Sequence, residues 1–99
     1  MLTELENFQQ EILDSEGLVI LEVYTPSCVP CKKVLSVLEP ISKNLRIIKA
    51  NASVNDSLVQ ELNIRSVPTI LFYIDGELDD AVIGSDITEI LTAISKYSK

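Results

Sequence analysis

The chain has 99 residues, 46% of them apolar, and carries 15 acidic against eight basic side chains for a net charge of −7. That length suits a single domain spanning residues 1–99, with enough apolar content to build a core without a metal or a staple. The acidity argues against nucleic-acid or anionic-lipid binding, and no apolar run approaches the roughly 18 residues needed to span a bilayer. The lack of histidine removes Ser–His and Cys–His catalysis.

At the N-terminus, Thr3-Glu4-Leu5-Glu6 has the form of a helix capping box, and Leu5, Phe8, Ile12 and Leu13 follow at helical spacing. A first helix is expected, stopping between Asp14 and Gly17. This segment has neither a basic start nor an apolar stretch typical of a secretory signal, so a cytoplasmic location is the default expectation. LVILEVY, residues 18–24, is an almost continuous apolar run of the kind found in a central strand covered on both faces. Thr25-Pro26 ends it, because a residue before proline avoids the helical region.

A second helix is expected from Cys28 to about Asn44, with Val34, Leu35, Val37, Leu38 and Ile41 facing inward and Pro40 kinking or splitting it. LRIIKAN, 45–51, reads as a second strand, and DSLVQELN, 56–63, as a short helix with Asn63 suited to a left-handed exit. Residues 69–74, a turn at Asp75-Gly76 and a return strand around 78–83 form a hairpin. Asp86 and Glu89 then cap a final helix with Ile87, Ile90, Leu91 and Ile94 on one stripe. The first two strands, joined by a helix, must be parallel, and the last two antiparallel. The fold class expected is therefore α/β, with a central mixed four-stranded sheet and helices on both faces.

Both cysteines lie in TPSCVPCKK, with two residues between them. Cys28 falls at the junction of the buried strand and the second helix. Unpaired N–H groups and the positive end of the helix dipole stabilise a thiolate there, and Lys32 and Lys33 add positive charge. Cys31, one turn further in, is close enough to form a disulfide and more covered. Pro30 costs little, since a first-turn N–H has no intrahelical partner. Zinc needs four ligands, and two cysteines without histidine would need a second chain or unusual carboxylate help to supply them, so no metal is expected. A staple closing so short a loop would restrict the unfolded chain little. A redox pair is the reading these comparisons favour.

Two further features bear on it. Glu22 interrupts the apolar strand where a charge is expensive, and a desolvated carboxyl there could relay a proton through water to or from Cys31. Lys49, on the neighbouring strand, is its expected partner. In Ser66-Val67-Pro68-Thr69 a proline stands at a strand entrance. A cis bond there would turn the Val67 carbonyl and N–H outward to pair with an extended substrate backbone.

These residues resemble those of the thioredoxins. Glu22 stands six residues before the first cysteine, and the CVPCK block, Lys49, the NIRSVPT block and Gly84 follow in order, so the likeness runs from about residue 3 to the end. The resemblance implies a thioredoxin-like fold, a cis Pro68 standing over the disulfide, and a docking groove of Ser27, Val29, Pro30, Val67, Pro68 and Gly84. It also implies a thiol–disulfide oxidoreductase acting on disulfide-containing proteins, reset by a separate thioredoxin reductase-type electron donor. No cofactor is expected, since there is no GxGxxG and only three glycines in all. The chain departs from the family pattern at Ser27, where tryptophan is usual, at Val29, where glycine is usual, and at Glu22, where aspartate is usual. Pro40 also lies a turn beyond the usual helix proline, and the N-terminal edge strand common in the family is missing or vestigial.

The nearest alternative is a glutaredoxin-like enzyme using glutathione, although that family's paired glycine is represented only by Gly84. A different class is a redox-independent binding module, for which the acidic surface suits docking. Nothing in the pattern calls for an oligomer, and a monomer is the expectation.

Overall fold

The computed structural model describes residues 2–97. Five strands form one sheet: β1 (Thr3–Glu4), β2 (Leu18–Tyr24), β3 (Ile47–Asn51), β4 (Thr69–Ile74) and β5 (Glu77–Ile83), in the spatial order β1-β3-β2-β4-β5. β1 and β2 run parallel to β3; β4 runs antiparallel to both β2 and β5. Among the described residues three α-helices accompany the sheet: α1 (Val29–Ile41), α2 (Asp56–Glu61) and α3 (Ile87–Ser95).

The alternation of side chains along β2 explains why LVILEVY is apolar throughout. Ile20 joins Ile47, Ile70, Phe72 and Val82 in a core beneath Val34 and Leu38 of α1 and Ile90, Ala93 and Ile94 of α3. Val19, Leu21 and Val23 point the other way, into a second core with Leu5, Ile12, Ile48, Ala50, Leu71 and Tyr73. A strand buried on both faces has no position for a solvated side chain.

The N-terminal segment corrects the expectation of a first helix starting at the Thr3 capping box, and with it the count of four strands. Thr3 and Glu4 pair with Ile48 and Lys49 at the sheet edge, and the Leu5 N–H donates to the Lys49 carbonyl at 2.7 Å. Only Gln9–Leu13 is helical, as one wide turn in which the Asp14 N–H reaches the Gln9 carbonyl. The backbone at its entrance is satisfied by other residues than the motif suggested. Asn7 Oδ1 accepts from the Gln10 N–H, and the Glu11 carboxylate accepts from the N–H groups of Glu6 and Asn7. The open edge of β3 competes for the same stretch of chain and offers backbone partners that an isolated helix would have to find within itself.

α1 is also shorter than expected, ending at Ile41 instead of near Asn44, yet it is continuous through Pro40. The missing proline N–H falls in the last turn, where its loss leaves most of the helix ladder intact. α2 ends two residues before Asn63, whose φ of 56° makes the left-handed exit its sequence suggested. The Asp86 carboxylate accepts from the Glu89 N–H and starts α3, as the sequence pattern anticipated.

The β4–β5 turn joins the sheet to the segment before β2. Asp75 and Gly76 have φ of 51° and 82°, the pair of positive values a two-residue primed turn needs. Asp75 Oδ1 accepts from the Gly17 N–H at 2.7 Å, and the Asp75 N–H donates to the Gly17 carbonyl at 3.0 Å. A Cβ on Gly76 would run into the Leu13 carbonyl, inside any real contact distance. Gly76→Ala is therefore expected to cost about 2 kcal/mol or more in urea unfolding, combining left-handed backbone strain with the clash. A loss within about 0.5 kcal/mol, ordinary for a surface change, would show that the turn relaxes freely.

Candidate active site

β2 delivers the chain to the start of α1, and this junction builds the site. The Thr25 carbonyl accepts from the Cys28 N–H at 3.2 Å, closing the turn that follows Tyr24. Cys28 holds extended backbone and is the residue from which α1 starts; its Sγ accepts from the Cys31 N–H at 3.1 Å. A sulfur thus fills the place that a serine or aspartate oxygen usually takes at a helix start. Pro30 lies in the first turn, as expected. Cys28 and Cys31 are joined as a disulfide.

The two sulfurs differ in access. Cys28 is half-buried, flanked by exposed Ser27, Val29 and Pro30, whereas Cys31 is fully buried and heads the α1 stripe that continues through Val34 and Leu38. Lys32 and Lys33 are exposed beside the pair. An attacking partner can reach only the outer sulfur.

The cis Val67–Pro68 bond faces the disulfide from the entrance of β4. The Val67 carbonyl oxygen lies 3.9 Å from Cys28 Sγ. Gly84 (φ 108°) donates its N–H to the Pro68 carbonyl at 2.9 Å, which brings the exit of β5 against the same loop. Val67 therefore faces Cys28, and Gly84 is tied to the adjoining Pro68. Ile83, which precedes Gly84 and pairs with Thr69, is 68% exposed at the same strand exit, and sequence reasoning passed over it. Its signal was weak, because one apolar residue beside a glycine at a strand end has many ordinary explanations.

Glu22 is wholly buried, two residues beyond Ile20 on the face of the sheet that α1 covers. Neither carboxylate oxygen has a hydrogen-bond partner among the described residues. Burial pushes its pKa up to about 8, against the opposing pull of the Lys49 charge. Lys49 is its register partner across β2 and β3, as the sequence suggested, but its ammonium does not close on the carboxylate. The Lys49 Nζ stands instead over the Tyr24 ring, 5.6 Å from the centroid. A carboxyl in this setting holds a proton near neutral pH and can exchange it as the pH or its surroundings change.

The pattern of the thioredoxin family matches residues 1–96, essentially the whole chain. The chain belongs to the thioredoxin family. Among its thioredoxin relatives, thioredoxin 1 of Synechococcus elongatus is 34% identical over 82 residues, covering 79% of this chain and 77% of that protein. The thioredoxin of Synechocystis is 30% identical over 96 residues, covering 92% of this chain and 90% of its own length. Among solved thioredoxin structures, that of Malassezia sympodialis superposes with a TM-score of 0.89 at 25% identity, covering 100% of this chain and 92% of that one. Thioredoxin f from spinach chloroplast, in its short form, also gives 0.89 at 25% identity, covering 99% and 94%. With a disulfide-forming pair at the head of α1, this thioredoxin-family chain is a thiol–disulfide oxidoreductase that reduces protein disulfides through Cys28 and Cys31. None of its described helices is long and apolar enough to cross a membrane.

Proposed function

We propose that Cys28 is the attacking thiol and Cys31 the resolving one. The Cys28 thiolate attacks one sulfur of a partner disulfide, and the partner's other sulfur leaves as a thiolate and takes a proton. Cys31 then loses its proton to Glu22, and its thiolate attacks Cys28 Sγ. The second partner sulfur leaves, the Cys28–Cys31 disulfide closes, and two electrons have passed to the partner. The observation that carries this order is the difference in access: one sulfur half-exposed at the helix start, the other buried beneath the first turn.

Glu22 is the proton carrier in this scheme and Lys49 the charge that moderates it. What supports the pairing is their register across two strands, together with a carboxyl whose pKa lies near 8. Ser27, Val29, Pro30, Val67, Pro68 and Gly84 form the surface on which the partner's backbone docks. Val29, exposed and apolar, covers ground where family members usually carry glycine, which favours partners with an apolar residue beside their disulfide. The 99-residue chain works as one domain and as a monomer, in the cytoplasm, with a separate thioredoxin reductase-type protein returning the two electrons.

The order of attack is tested by trapping. Incubated with a disulfide-bonded protein, Cys31→Ser is expected to accumulate a covalent mixed disulfide visible on a non-reducing gel, because the first bond forms and nothing resolves it. Cys28→Ser is expected to form none. The reverse pattern would assign the attack to Cys31.

A further inference from the structure

A line of charge crosses the sheet on the α1 side. Glu4 of β1 pairs with Lys49 of β3, and Lys49 pairs with Glu22 of β2, so one ammonium stands in register between two carboxylates. Because these pairs are parallel and in register, all three side chains rise from the same face. Glu22 is buried and has no hydrogen-bond partner among the described residues, whereas Glu4 is exposed and hydrogen-bonded through both oxygens. Glu4 Oε1 accepts from the Tyr24 hydroxyl at 2.7 Å, and Oε2 accepts from the Asn51 N–H at 3.2 Å. The same Tyr24 presents its ring to the Lys49 ammonium at 5.6 Å, within range of a cation–π attraction.

We propose that Tyr24 and Glu4 are positioning residues that set where the Lys49 ammonium stands, and through it how readily Glu22 releases its proton. This rests on the proton-carrier role given to Glu22 above. The mechanism is a competition. With both of its oxygens held by hydrogen-bond donors, Glu4 is occupied and the ammonium rests on the ring, within electrostatic reach of Glu22. Tyr24 serves twice, by holding Glu4 through its hydroxyl and by holding Lys49 on its ring. The other charged group facing Lys49 is Glu39 of α1, whose carboxylate is held low chiefly by the Leu2 N–H. The Cys28–Cys31 pair completes the groups that α1 brings to this face.

The two residues call for substitutions of opposite sign. Tyr24→Phe keeps the ring but frees Glu4 Oε1, which then draws the ammonium away from Glu22 and raises its titration midpoint. Glu4→Gln removes the competing charge, leaves the ammonium to Glu22, and lowers that midpoint. Each displacement is expected to be about half a pH unit or more, as befits one full charge removed, or one ammonium moved, at the range of a strand spacing or two.

The experiment is a carbon-13 titration of the Glu22 side-chain carboxyl in the oxidised 99-residue chain and in both variants. Midpoints displaced in opposite directions support the proposal. Midpoints unmoved in both variants, or moved the same way in both, overturn it, since a general loosening of the fold has no reason to act with two signs. Lys49→Met provides a check that does not depend on Glu4 or Tyr24: it should raise the midpoint at least as far as Tyr24→Phe, and a smaller rise would overturn the proposal. The titration reads the carboxyl itself and not turnover. A kinetically silent Glu22→Gln would strike the proton-transfer role and leave these shifts standing.

Discussion

A Cys28→Ser variant reduces insulin disulfides no faster than dithiothreitol alone. The expectation follows from what position 28 supplies and serine cannot. Its sulfur sits at the head of α1, accepts the Cys31 N–H at 3.1 Å, and has two exposed lysines beside it. Each of these favours negative charge on sulfur, and the thiolate is the species that attacks a disulfide. A serine hydroxyl in the same place stays protonated at neutral pH, and its oxygen has no disulfide to close with Cys31. Cys31 cannot substitute, because it is fully buried and a folded partner cannot reach it. Loss of a sole nucleophile typically costs about three orders of magnitude or more, which places the variant at the background rate. Activity within tenfold of the unchanged chain would remove Cys28 from the chemistry. A Cys28→Ser that unfolds would be recognised from its circular dichroism, and Cys28→Ala then repeats the test with a smaller side chain that needs no hydrogen bond.

The second large effect is on stability, and its sign comes from Glu22. The carboxyl titrates from 4.5 in the open chain to about 8 in the folded one. Between those values the folded state holds a proton that the unfolded state has lost. Stability therefore falls as pH rises from about 4.5, and the loss levels off above about 8. Its ceiling is about 5 kcal/mol, a large part of the total for a domain of this size. Glu22→Gln cannot titrate. Its burial of an amide adds a cost, but one that does not change with pH. In urea unfolding of the oxidised protein at pH 5, 7 and 9, the stability of Glu22→Gln relative to the unchanged chain should climb steadily, by several kcal/mol from first to last. An equal difference at all three values would mean that Glu22 is not strained by its burial. Turnover should show the complementary change: the limb of the pH profile near 8 should vanish in Glu22→Gln, with the rate lowered by about tenfold or more where proton transfer limits.

These two effects explain each other. A wholly buried carboxyl without a partner weakens the folded state at every pH where it is charged. It lies on the face of the sheet that α1 covers, the side on which the proposed resolving step calls for a proton acceptor. Stability lost at Glu22 is the physical counterpart of a proton held near neutral pH.

Much of the architecture could be read locally. LVILEVY announced a strand buried on both faces because a strand alternates its side chains, and both faces here are covered. Asp75-Gly76 announced the hairpin because few residue pairs accept two consecutive positive φ values. Pro26, Cys28 and Pro30 together marked a strand ending and a helix beginning around the sulfur. The pairing of Glu22 with Lys49 followed from two strands joined by a helix lying side by side. Thr3–Glu4 was illegible for the opposite reason. Its pattern suits a helix, and a strand forms there only because β3 leaves an edge open to it.

By itself, then, the order of residues determined the chemical groups at hand: a thiol pair at a helix start, a carboxyl in an apolar strand, a proline at a strand entrance. Those features depend on spacings of a few residues, within which backbone geometry allows few arrangements. The tertiary structure alone decided that Glu22 has no hydrogen-bond partner among the described residues, that Lys49 rests on Tyr24, and that Glu4 lies in line with both. Each depends on the register of strands brought together from distant parts of the chain, and the pairing energy that sets the register belongs to no single segment.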